Sequence, residues 1–282
     1  MSFFSGRGFS FPLGTKTYVM GILNVTPDSF FDGGKWNEPQ RAAEHAREME
    51  ADGADLIDIG AQSTRPGHTP LSEAQELEIL RQFLPVVRRA VSVPLSVDAF
   101  FPATARYALE NGAAIVNDVS GKLSVDMAAV VREHDAGWIL MHTGGANADV
   151  SAAYPNGVCA DVRAFFKDAS AFIREQGIAA QSVCLDPGFG FGKSHEDNLA
   201  LLRALASVKP EHHALLTALS CKRMIANEAG SEEVQRLCGT LAADTLAIAG
   251  GTDLVRVHHV REARAAADMA DALLRRGGMQ NG

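Results

Sequence analysis

The chain has 282 residues, of which 46% are hydrophobic, and its 34 acidic and 26 basic side chains give a formal net charge of -8 at pH 7. This composition is typical of a packed globular protein and excludes a disordered chain. The acidic excess provides no overall field to hold a polyanion, so nucleic acid is not expected as a partner. No segment approaches the 18 apolar residues of a membrane span, so we expect neither export nor a membrane anchor.

The cysteines are too scattered to form a recognisable framework. Cys159, Cys184, Cys221 and Cys238 lie far apart in the chain and include no CxxC pair. This spacing indicates neither a zinc ribbon nor a set of disulfides, and it favours a reducing compartment. We therefore expect a cytoplasmic protein.

Short apolar runs recur along the chain, each followed by a polar or glycine-rich loop and then by a longer segment with helical spacing. There are eight such runs, at residues 17–23, 55–60, 94–99, 113–118, 137–142, 182–187, 214–220 and 253–258. Helical candidates between them include residues 38–53 and residues 71–91, where Ser72 precedes an acidic first turn. This alternation predicts parallel βα units.

Polar or glycine-rich clusters follow nearly every run at its carboxyl end. In a closed eight-stranded barrel all of these ends converge on one mouth, whereas an open doubly wound sheet, the alternative, gathers only those near its switch point. We therefore predict a single-domain α/β protein with an eight-stranded parallel (β/α)8 TIM barrel. The barrel is assigned to residues 17–276, with an N-terminal extension at residues 1–16 and a C-terminal tail at residues 277–282.

Two acids, Asp98 and Asp186, each close a predicted strand. An acid at such a position is only partly solvated and needs a partner, although each could simply cap the following helix. Asn117 at the end of a third strand and Lys222 on a fourth loop make a shared recognition site the better joint explanation. A carboxylate suits a planar fork of two N–H donors, such as the edge of a 2-amino-4-oxo pyrimidine. The four residues therefore predict a site for a nitrogen heterocycle.

Arg256 and His258 alternate along the last strand, so their side chains are predicted to share one face while His259 points to the other. A cation beside an imidazole at the top of a barrel favours an anionic guest such as a phosphate or diphosphate. The alternative is a structural Arg256 paired with an acid, with His258 bonded to backbone. A zinc site at His258 and His259 is not expected, because adjacent strand residues diverge.

The sequence GFGFGKS at residues 188–194 is not a Walker phosphate loop, because Pro187 stands where that pattern requires glycine. Its glycines are predicted to let the backbone approach a flat ligand, with Phe189 or Phe191 available to line it. Two further polar loops, at residues 24–29 and 63–67, could be lids or ordinary βα connections.

Several motifs, taken in chain order, carry a specific resemblance. They are GILNVTPDSFFDGG at residues 21–34, IDIGAQSTRPG at 57–67, LDPGFGFGK at 185–193, SCKR at 220–223 and RVHHV at 256–260. Together they resemble the dihydropteroate synthase family over nearly the whole chain. The resemblance implies a TIM barrel, usually a homodimer, that acts as a transferase in folate synthesis. It implies a reaction joining 6-hydroxymethyl-7,8-dihydropterin diphosphate to p-aminobenzoate, with dihydropteroate and diphosphate as products.

The same resemblance assigns roles to individual positions. It places the pterin contacts at Asp98, Asn117, Asp186 and Lys222, and the diphosphate contacts at Arg256 and His258. It places Mg²⁺ binding at Asn24, a substrate-holding loop at Thr64 and Arg65, and the p-aminobenzoate pocket at Pro66, Phe191 and Arg223. The expected catalytic residues are Asp98, Lys222, Arg256 and His258, and the expected cofactor is Mg²⁺.

Some positions depart from the family pattern: Phe31, Gln62, Ala99, Cys221 and His259. None of them removes a residue with an assigned substrate role. Gln62, Cys221 and His259 nevertheless motivate an alternative, a catalytically weak homologue that binds pterin or a protein partner. A pterin-dependent methyltransferase domain is a further alternative, and it is disfavoured because the diphosphate-binding positions would then have no ligand.

Overall fold

A computed structural model of the chain describes residues 2–25, 38–61, 71–144 and 152–275. Eight parallel strands close into a barrel, which confirms the predicted fold class and rules out the open sheet. The barrel strands are β3 (Tyr18–Asn24), β4 (Leu56–Gly60), β5 (Leu95–Asp98), β6 (Ile115–Asp118), β7 (Gly137–Met141), β8 (Val183–Asp186), β9 (Ala214–Thr217) and β10 (Leu254–Val257). An antiparallel hairpin, β1 (Phe3–Gly6) and β2 (Phe9–Pro12), precedes them. Each barrel strand pairs with its neighbours in the chain, and β10 closes the ring against β3.

Helices surround the barrel. They are α1 (Pro39–Ala51), α2 (Glu73–Ala90), α3 (Pro102–Glu110), α4 (Val125–Glu133), α5 (Val158–Glu175), α6 (His195–Arg203), α7 (Leu205–Val208), α8 (Arg223–Ala229), α9 (Glu233–Ala249) and α10 (Val260–Leu274). The sequence predicted eight helices, but the connections after β8 and after β9 each contain two. In the second case the chain breaks at Gly230, whose φ of 107° lies in the left-handed region that favours glycine. None of the helices in the described ranges is long and apolar enough to cross a bilayer.

The start of α2 lies where the sequence placed it, because Ser72 forms a capping box. Its Oγ accepts the Gln75 backbone N–H at 3.4 Å, and Gln75 Oε1 accepts the Ser72 backbone N–H at 2.9 Å. Two backbone donors that the first turn of a helix leaves unpaired are thereby satisfied. This cap fixes the point at which the chain returns from the mouth of the barrel to its outer face.

The amino-terminal end of the barrel is closed by the hairpin. Its aromatic side chains pack on one another and on the apolar residues inside the barrel, with the ring centroids of Phe4 and Phe9 5.0 Å apart. Phe11 stacks on Tyr18 of β3 at 4.4 Å between ring centroids. The residues that the sequence analysis set apart as an N-terminal extension therefore form part of the hydrophobic core. Because this end is apolar and covered, the polar strand ends lie at the opposite, carboxyl-terminal mouth.

Asp244 is a buried acid that lies outside that mouth. Asp244 lies on α9, one turn after Thr240, which accepts the Cys221 backbone N–H at 3.2 Å. Asp244 is 2% exposed, and neither of its carboxylate oxygens has a hydrogen-bond partner among the described residues. Burial raises the pKa of Asp244 from its ordinary value of 3.8 to about 8. The folded chain therefore holds a proton there that the unfolded chain releases above pH 4.

We expect Asp244→Asn to remove a pH dependence of stability. Because the folded pKa is the higher one, the contribution of Asp244 to the free energy of unfolding is most favourable below the unfolded pKa and declines as the pH rises toward 8. The loss relative to Asp244→Asn approaches about 1.4 kcal/mol per pH unit. Urea unfolding at pH 5, 6.5 and 8 measures it, with exposed Glu44→Gln on α1 as the control. Parallel curves for wild type and Asp244→Asn would contradict the assignment.

Candidate active site at the barrel mouth

One carboxylate oxygen joins three barrel strands at the mouth. Arg256 Nε on β10 donates to Asp58 Oδ2 on β4 at 2.7 Å, and Asn117 Nδ2 on β6 donates to the same oxygen at 2.9 Å. A second Arg256 nitrogen lies 3.7 Å from Asp98 Oδ2 at the end of β5. The Asp58 side chain is fully buried and the Arg256 side chain is 18% exposed. The predicted residues Asp98, Asn117 and Arg256 therefore belong to one group, joined by hydrogen bonds to Asp58 and by the ion pair between Arg256 and Asp98.

This group contains acceptors without donors. Asp58 Oδ1 and Asp98 Oδ1 are buried and have no hydrogen-bond partner within the described ranges. Burial raises the pKa of Asp98, nearby Asp58 raises it further, and Arg256 acts in the opposite direction. Buried polar atoms are nearly always hydrogen-bonded in folded proteins. A ligand N–H group at the mouth would supply the donor that Asp98 Oδ1 lacks.

A second group lies across the mouth, at the ends of β8 and β9. Asp186 Oδ1 accepts the Gly188 backbone N–H at 2.7 Å. Burial raises the pKa of Asp186, and the charge of Lys222 offsets part of this rise. Burial lowers the pKa of Lys222 to about 8, although Asp186 acts to raise it. Each group thus favours the charged form of the other.

Lys222 also fixes the aromatic side of the mouth. Its Nζ donates to the backbone oxygen of Phe189 and lies 4.8 Å from the centroid of the Phe191 ring. Arg256 lies near enough to Asp186 and Lys222 to affect the pKa values of both, so the two groups lie at the same mouth. The four residues that predicted a heterocycle site are therefore brought together, with an aromatic ring beside them.

Several sequence interpretations are corrected or narrowed by this geometry. Asp98 and Asp186 do not cap the following helices, because Phe101 and Ser194 occupy the N-cap positions of α3 and α6. Phe189 is fully buried in the core, so it does not line a ligand. Gly188 is required by the chain itself, because a Cβ there would lie 1.8 Å from the His142 carbonyl oxygen. Only Phe191 of the two candidate aromatics remains available at the mouth.

Arg256 and His258 both find partners inside the protein. The charge of Arg256 is balanced by Asp58, as in the alternative considered from the sequence. Ser220 Oγ accepts the His258 backbone N–H at 3.2 Å and lies 3.0 Å from His258 Nδ1. Contact of these two residues with a diphosphate stays a prediction, since neither needs an anion to account for its position.

The structure describes only some of the remaining predicted positions. Asn24 ends β3, and a Cβ at Gly60 would lie 3.2 Å from its side-chain oxygen, so glycine leaves room beside that amide. The residues that the structure describes contain no cluster of three or more His, Cys, Asp or Glu side chains suited to a metal ion. Arg223 is exposed at the start of α8, next to Lys222. Thr64, Arg65 and Pro66 lie outside the described residues.

Two functional residues were not identified from the sequence. Asp58 interrupts the apolar run LIDIG, and a charge inside a buried strand must be paired, which was the available signal. Lys193 ends the GFGFGK motif and is 5% exposed, with its Nζ 2.8 Å from the Gly188 carbonyl oxygen. Burial lowers the pKa of Lys193 to about 7, and Asp186 partly offsets this effect. The motif was considered only for its glycines and phenylalanines.

The chain is similar to known proteins in both sequence and fold. The sequence profile of the family described as pterin binding enzyme matches residues 20–258. A dihydropteroate synthase of Synechocystis sp. is 40% identical over 268 residues, covering 94% of this chain and 93% of that protein. The Burkholderia cenocepacia dihydropteroate synthase complexed with 7,8-dihydropteroate is 33% identical, with a TM-score of 0.86 and 99% of both chains covered. The Thermus thermophilus dihydropteroate synthase in complex with 4-aminobenzoate is 36% identical, with a TM-score of 0.83 and 96% and 99% covered.

We expect Asp58→Asn to destabilise the fold by about 3 kcal/mol, because removing one partner leaves a buried guanidinium with poor compensation. The double variant Asp58→Asn with Arg256→Met should recover part of this loss, since the buried guanidinium is then removed as well. Chemical denaturation of the two single variants and the double variant measures the coupling between the residues. Strictly additive losses would show that the two side chains do not depend on each other.

Proposed function

The chain belongs to the dihydropteroate synthase family of pterin-binding enzymes, and we propose that its barrel mouth carries out the family's condensation. The enzyme joins 6-hydroxymethyl-7,8-dihydropterin diphosphate to p-aminobenzoate, and it releases diphosphate and 7,8-dihydropteroate. The observation that carries the proposal is the meeting of Asp98, Asn117, Asp186 and Lys222 at one mouth, with one unpaired carboxylate oxygen, Asp98 Oδ1, among them. The ligands of the two solved relatives, 7,8-dihydropteroate and 4-aminobenzoate, are the product and one substrate of this reaction.

Pterin recognition follows from the donors and acceptors at the mouth. The pyrimidine edge of a pterin presents neighbouring N–H groups, which suit an acceptor such as the unpaired Asp98 Oδ1. These donors favour the carboxylate over the acid, so they act against the rise in pKa that burial causes at Asp98. Asn117 and Lys222 add an amide and a cationic donor for the carbonyl and ring nitrogens. Ligand binding in this arrangement satisfies groups that the protein leaves unpaired.

The charged strand end at Arg256 and His258 is assigned to the diphosphate. Bond cleavage between the pterin methylene carbon and the diphosphate oxygen moves an electron pair onto the leaving group, and fixed cationic and N–H donors stabilise that charge. Arg256 is held in place by Asp58, so it needs little rearrangement as the charge develops. Ser220 fixes the backbone and Nδ1 side of His258 in the same way.

Mg²⁺ is proposed as the cofactor, with Asn24 as its protein ligand. A magnesium ion prefers oxygen ligands and is commonly bound through few protein groups together with substrate phosphates. The Asn24 amide oxygen at the end of β3 fits that requirement, since β3 lies beside β10 and its charged end. When bound, the ion would neutralise charge on the diphosphate.

The second substrate is assigned to the aromatic side of the mouth. The bond to diphosphate breaks first and leaves a cationic methylene carbon that the electron-rich pterin ring stabilises. The neutral amine of p-aminobenzoate then attacks this carbon and releases a proton. An aniline reacts through its own lone pair, so the site needs no strong general base. Phe191 is proposed to pack against the aminobenzoate ring, with Pro66 and Arg223 completing the pocket. Thr64 and Arg65 are proposed to hold substrate from the neighbouring loop.

We further propose a homodimer that resides in the cytoplasm. Leu246 on α9 and Met269 and Leu273 on α10 are each more than half exposed, and these two helices pack side by side. Exposed apolar side chains on adjacent helices support an interface with a second copy. Four free cysteines, at residues 159, 184, 221 and 238, support a reducing compartment.

We expect the purified chain to form dihydropteroate from pterin diphosphate, p-aminobenzoate and Mg²⁺. Asp98→Asn should lower kcat/KM by about 100-fold, mainly through weaker pterin binding, because it removes a charge-assisted acceptor. The matched control is Asp168→Asn, on the exposed face of α5. Product analysis by mass spectrometry and pterin binding by calorimetry separate the outcomes. Binding without turnover would favour the catalytically weak homologue. The absence of both binding and turnover would overturn the proposal.

We expect Leu273→Glu to convert the dimer to a monomer, because a charge in an apolar interface lacks a partner. Sedimentation equilibrium over a range of protein concentrations measures the change. Val125→Glu on α4, which also replaces an exposed apolar residue, should leave the mass of the assembly unaltered. A wild type that stays monomeric at high concentration would contradict the dimer.

A further inference from the structure

The turn that follows β8 is held by side chains buried beneath it. The Phe191 backbone N–H donates to the Gly188 carbonyl oxygen at 3.2 Å and closes the turn. Lys193 Nζ donates to the same Gly188 oxygen at 2.8 Å and to the Phe191 oxygen at 3.3 Å. A third contact, to the His142 carbonyl oxygen at 3.4 Å, joins the turn to the end of β7. One ammonium group thus connects both ends of the turn to the barrel wall.

A buried amide holds the other side of the same turn. Asn198 Oδ1 on α6 accepts the Gly190 backbone N–H at 2.7 Å. Its Nδ2 donates to the carbonyl oxygens of Ser194 at 2.7 Å and Lys193 at 3.2 Å. Asn198 is 4% exposed, and Lys193 is 5% exposed. The two side chains therefore fix the backbone from inside the protein, where water does not compete.

The outer surface of the turn belongs to the mouth. Asp186 accepts the Gly188 N–H, Lys222 donates to the Phe189 oxygen, and the Phe191 ring lies beneath the Lys222 ammonium. A shift of the turn would therefore displace the Phe191 ring and alter the contacts of both charged residues. Displacements of about 1 Å in positioning groups can cost on the order of 100-fold in rate.

The choice of lysine at this place is informative. An ammonium group has three N–H donors, which matches the three carbonyl oxygens around Lys193 Nζ. No ion pair within 4.0 Å joins it to a carboxylate in the described ranges, although the charges of Asp186, Asp161 and Asp197 act on it from a longer distance. Burying an ammonium without such a partner is unfavourable, and apolar side chains would fill the space at lower cost. The presence of Lys193 therefore indicates that this residue serves the geometry of the turn rather than the stability of the fold.

We propose that Lys193, assisted by Asn198, is a positioning residue that holds the turn at residues 188–191 so that Phe191 and Lys222 face the second substrate. The inference rests on the proposed function for the identity of that substrate, p-aminobenzoate. It assigns Lys193 no contact with the reacting atoms. Its effect reaches the substrate through the backbone of the turn.

The test compares Lys193→Met with Lys209→Met. Lys209 Nζ donates to the Gly251 carbonyl and to Asp253 at 3.1 Å, at the opposite end of the barrel, so it is a matched lysine that is unrelated to the mouth. Lys193→Met should raise the KM for p-aminobenzoate about tenfold, the scale of one lost charged hydrogen bond, while the KM for pterin diphosphate changes less. Hydrogen exchange at residues 188–193 should become faster in this variant alone. Asn198→Ala should shift both readouts in the same direction, and it serves if Lys193→Met does not fold.

The outcomes separate this inference from the proposed function. Unchanged exchange at residues 188–193 would overturn the positioning role whatever the activity of the protein. Faster exchange with unaltered KM values would also overturn it, because the turn would then not control the substrate. Absence of dihydropteroate formation by the wild type would contradict the proposed function, and calorimetric binding of p-aminobenzoate in the presence of diphosphate would then replace KM as the readout. Equal effects in Lys193→Met and Lys209→Met would indicate a general loss of stability and overturn the assignment.

Discussion

The mouth of this barrel depends on a single carboxylate oxygen, Asp58 Oδ2. It accepts a hydrogen bond from Arg256 and another from Asn117, and so it ties β4 to β10 and to β6. A guanidinium in this position could not stay ordered without a carboxylate beside it, because desolvation of an unpaired charge is costly. Asp98 adds a weaker contact to Arg256 at 3.7 Å from β5. The positions of three predicted substrate-binding side chains are thus set by one residue assigned no contact with substrate.

The charged groups at the mouth lack enough partners within the protein to favour their charged forms. Burial raises the pKa values of Asp98 and Asp186 and lowers that of Lys222, so every one of these groups is biased toward its neutral form. A ligand with N–H donors and carbonyl acceptors reverses that bias by supplying partners to the charged forms. Such a ligand would therefore meet groups that the protein already holds in place, with the Phe191 ring beside them on the turn that Lys193 contacts.

Much of this structure was predictable because its pattern is local. The apolar runs end in polar or glycine-rich residues, so strand limits such as residues 94–99 fall within one residue of β5 (Leu95–Asp98). The convergence of Asp98 and Asp186 follows from the closed topology alone. Pairing between side chains far apart in sequence was not predictable: Asp58 and Arg256 are separated by 198 positions, and no spacing rule relates them. The different burial of Phe189 and Phe191 was not predictable either, because both residues fit the motif equally well and only the fold decides that Phe189 is the buried one.

The amino-terminal hairpin shows a second limit of the same kind. Phe9 and Phe11 alternate with exposed Ser10, which is the period of a strand, but each strand is only four residues long and lies among glycines and a proline. Such a segment cannot form a stable sheet alone. It is ordered because its phenylalanines cover the apolar end of a barrel whose closure is decided by residues much later in the chain.

Of the departures from the family pattern, Phe31 and Gln62 lie outside the described residues, whereas the structure places Ala99, Cys221 and His259. Cys221 has a φ of 58°, a left-handed conformation uncommon for a residue other than glycine, and its backbone is held by Thr240 and by Arg236, which donates to its oxygen at 2.6 Å. Burial raises the pKa of the Cys221 thiol, so it is not an activated nucleophile beside Lys222. His259 occupies the N-cap position of α10, one residue beyond His258. Contacts with α9 thus fix the backbone before Lys222, and neither Cys221 nor His259 replaces a residue with a predicted substrate role.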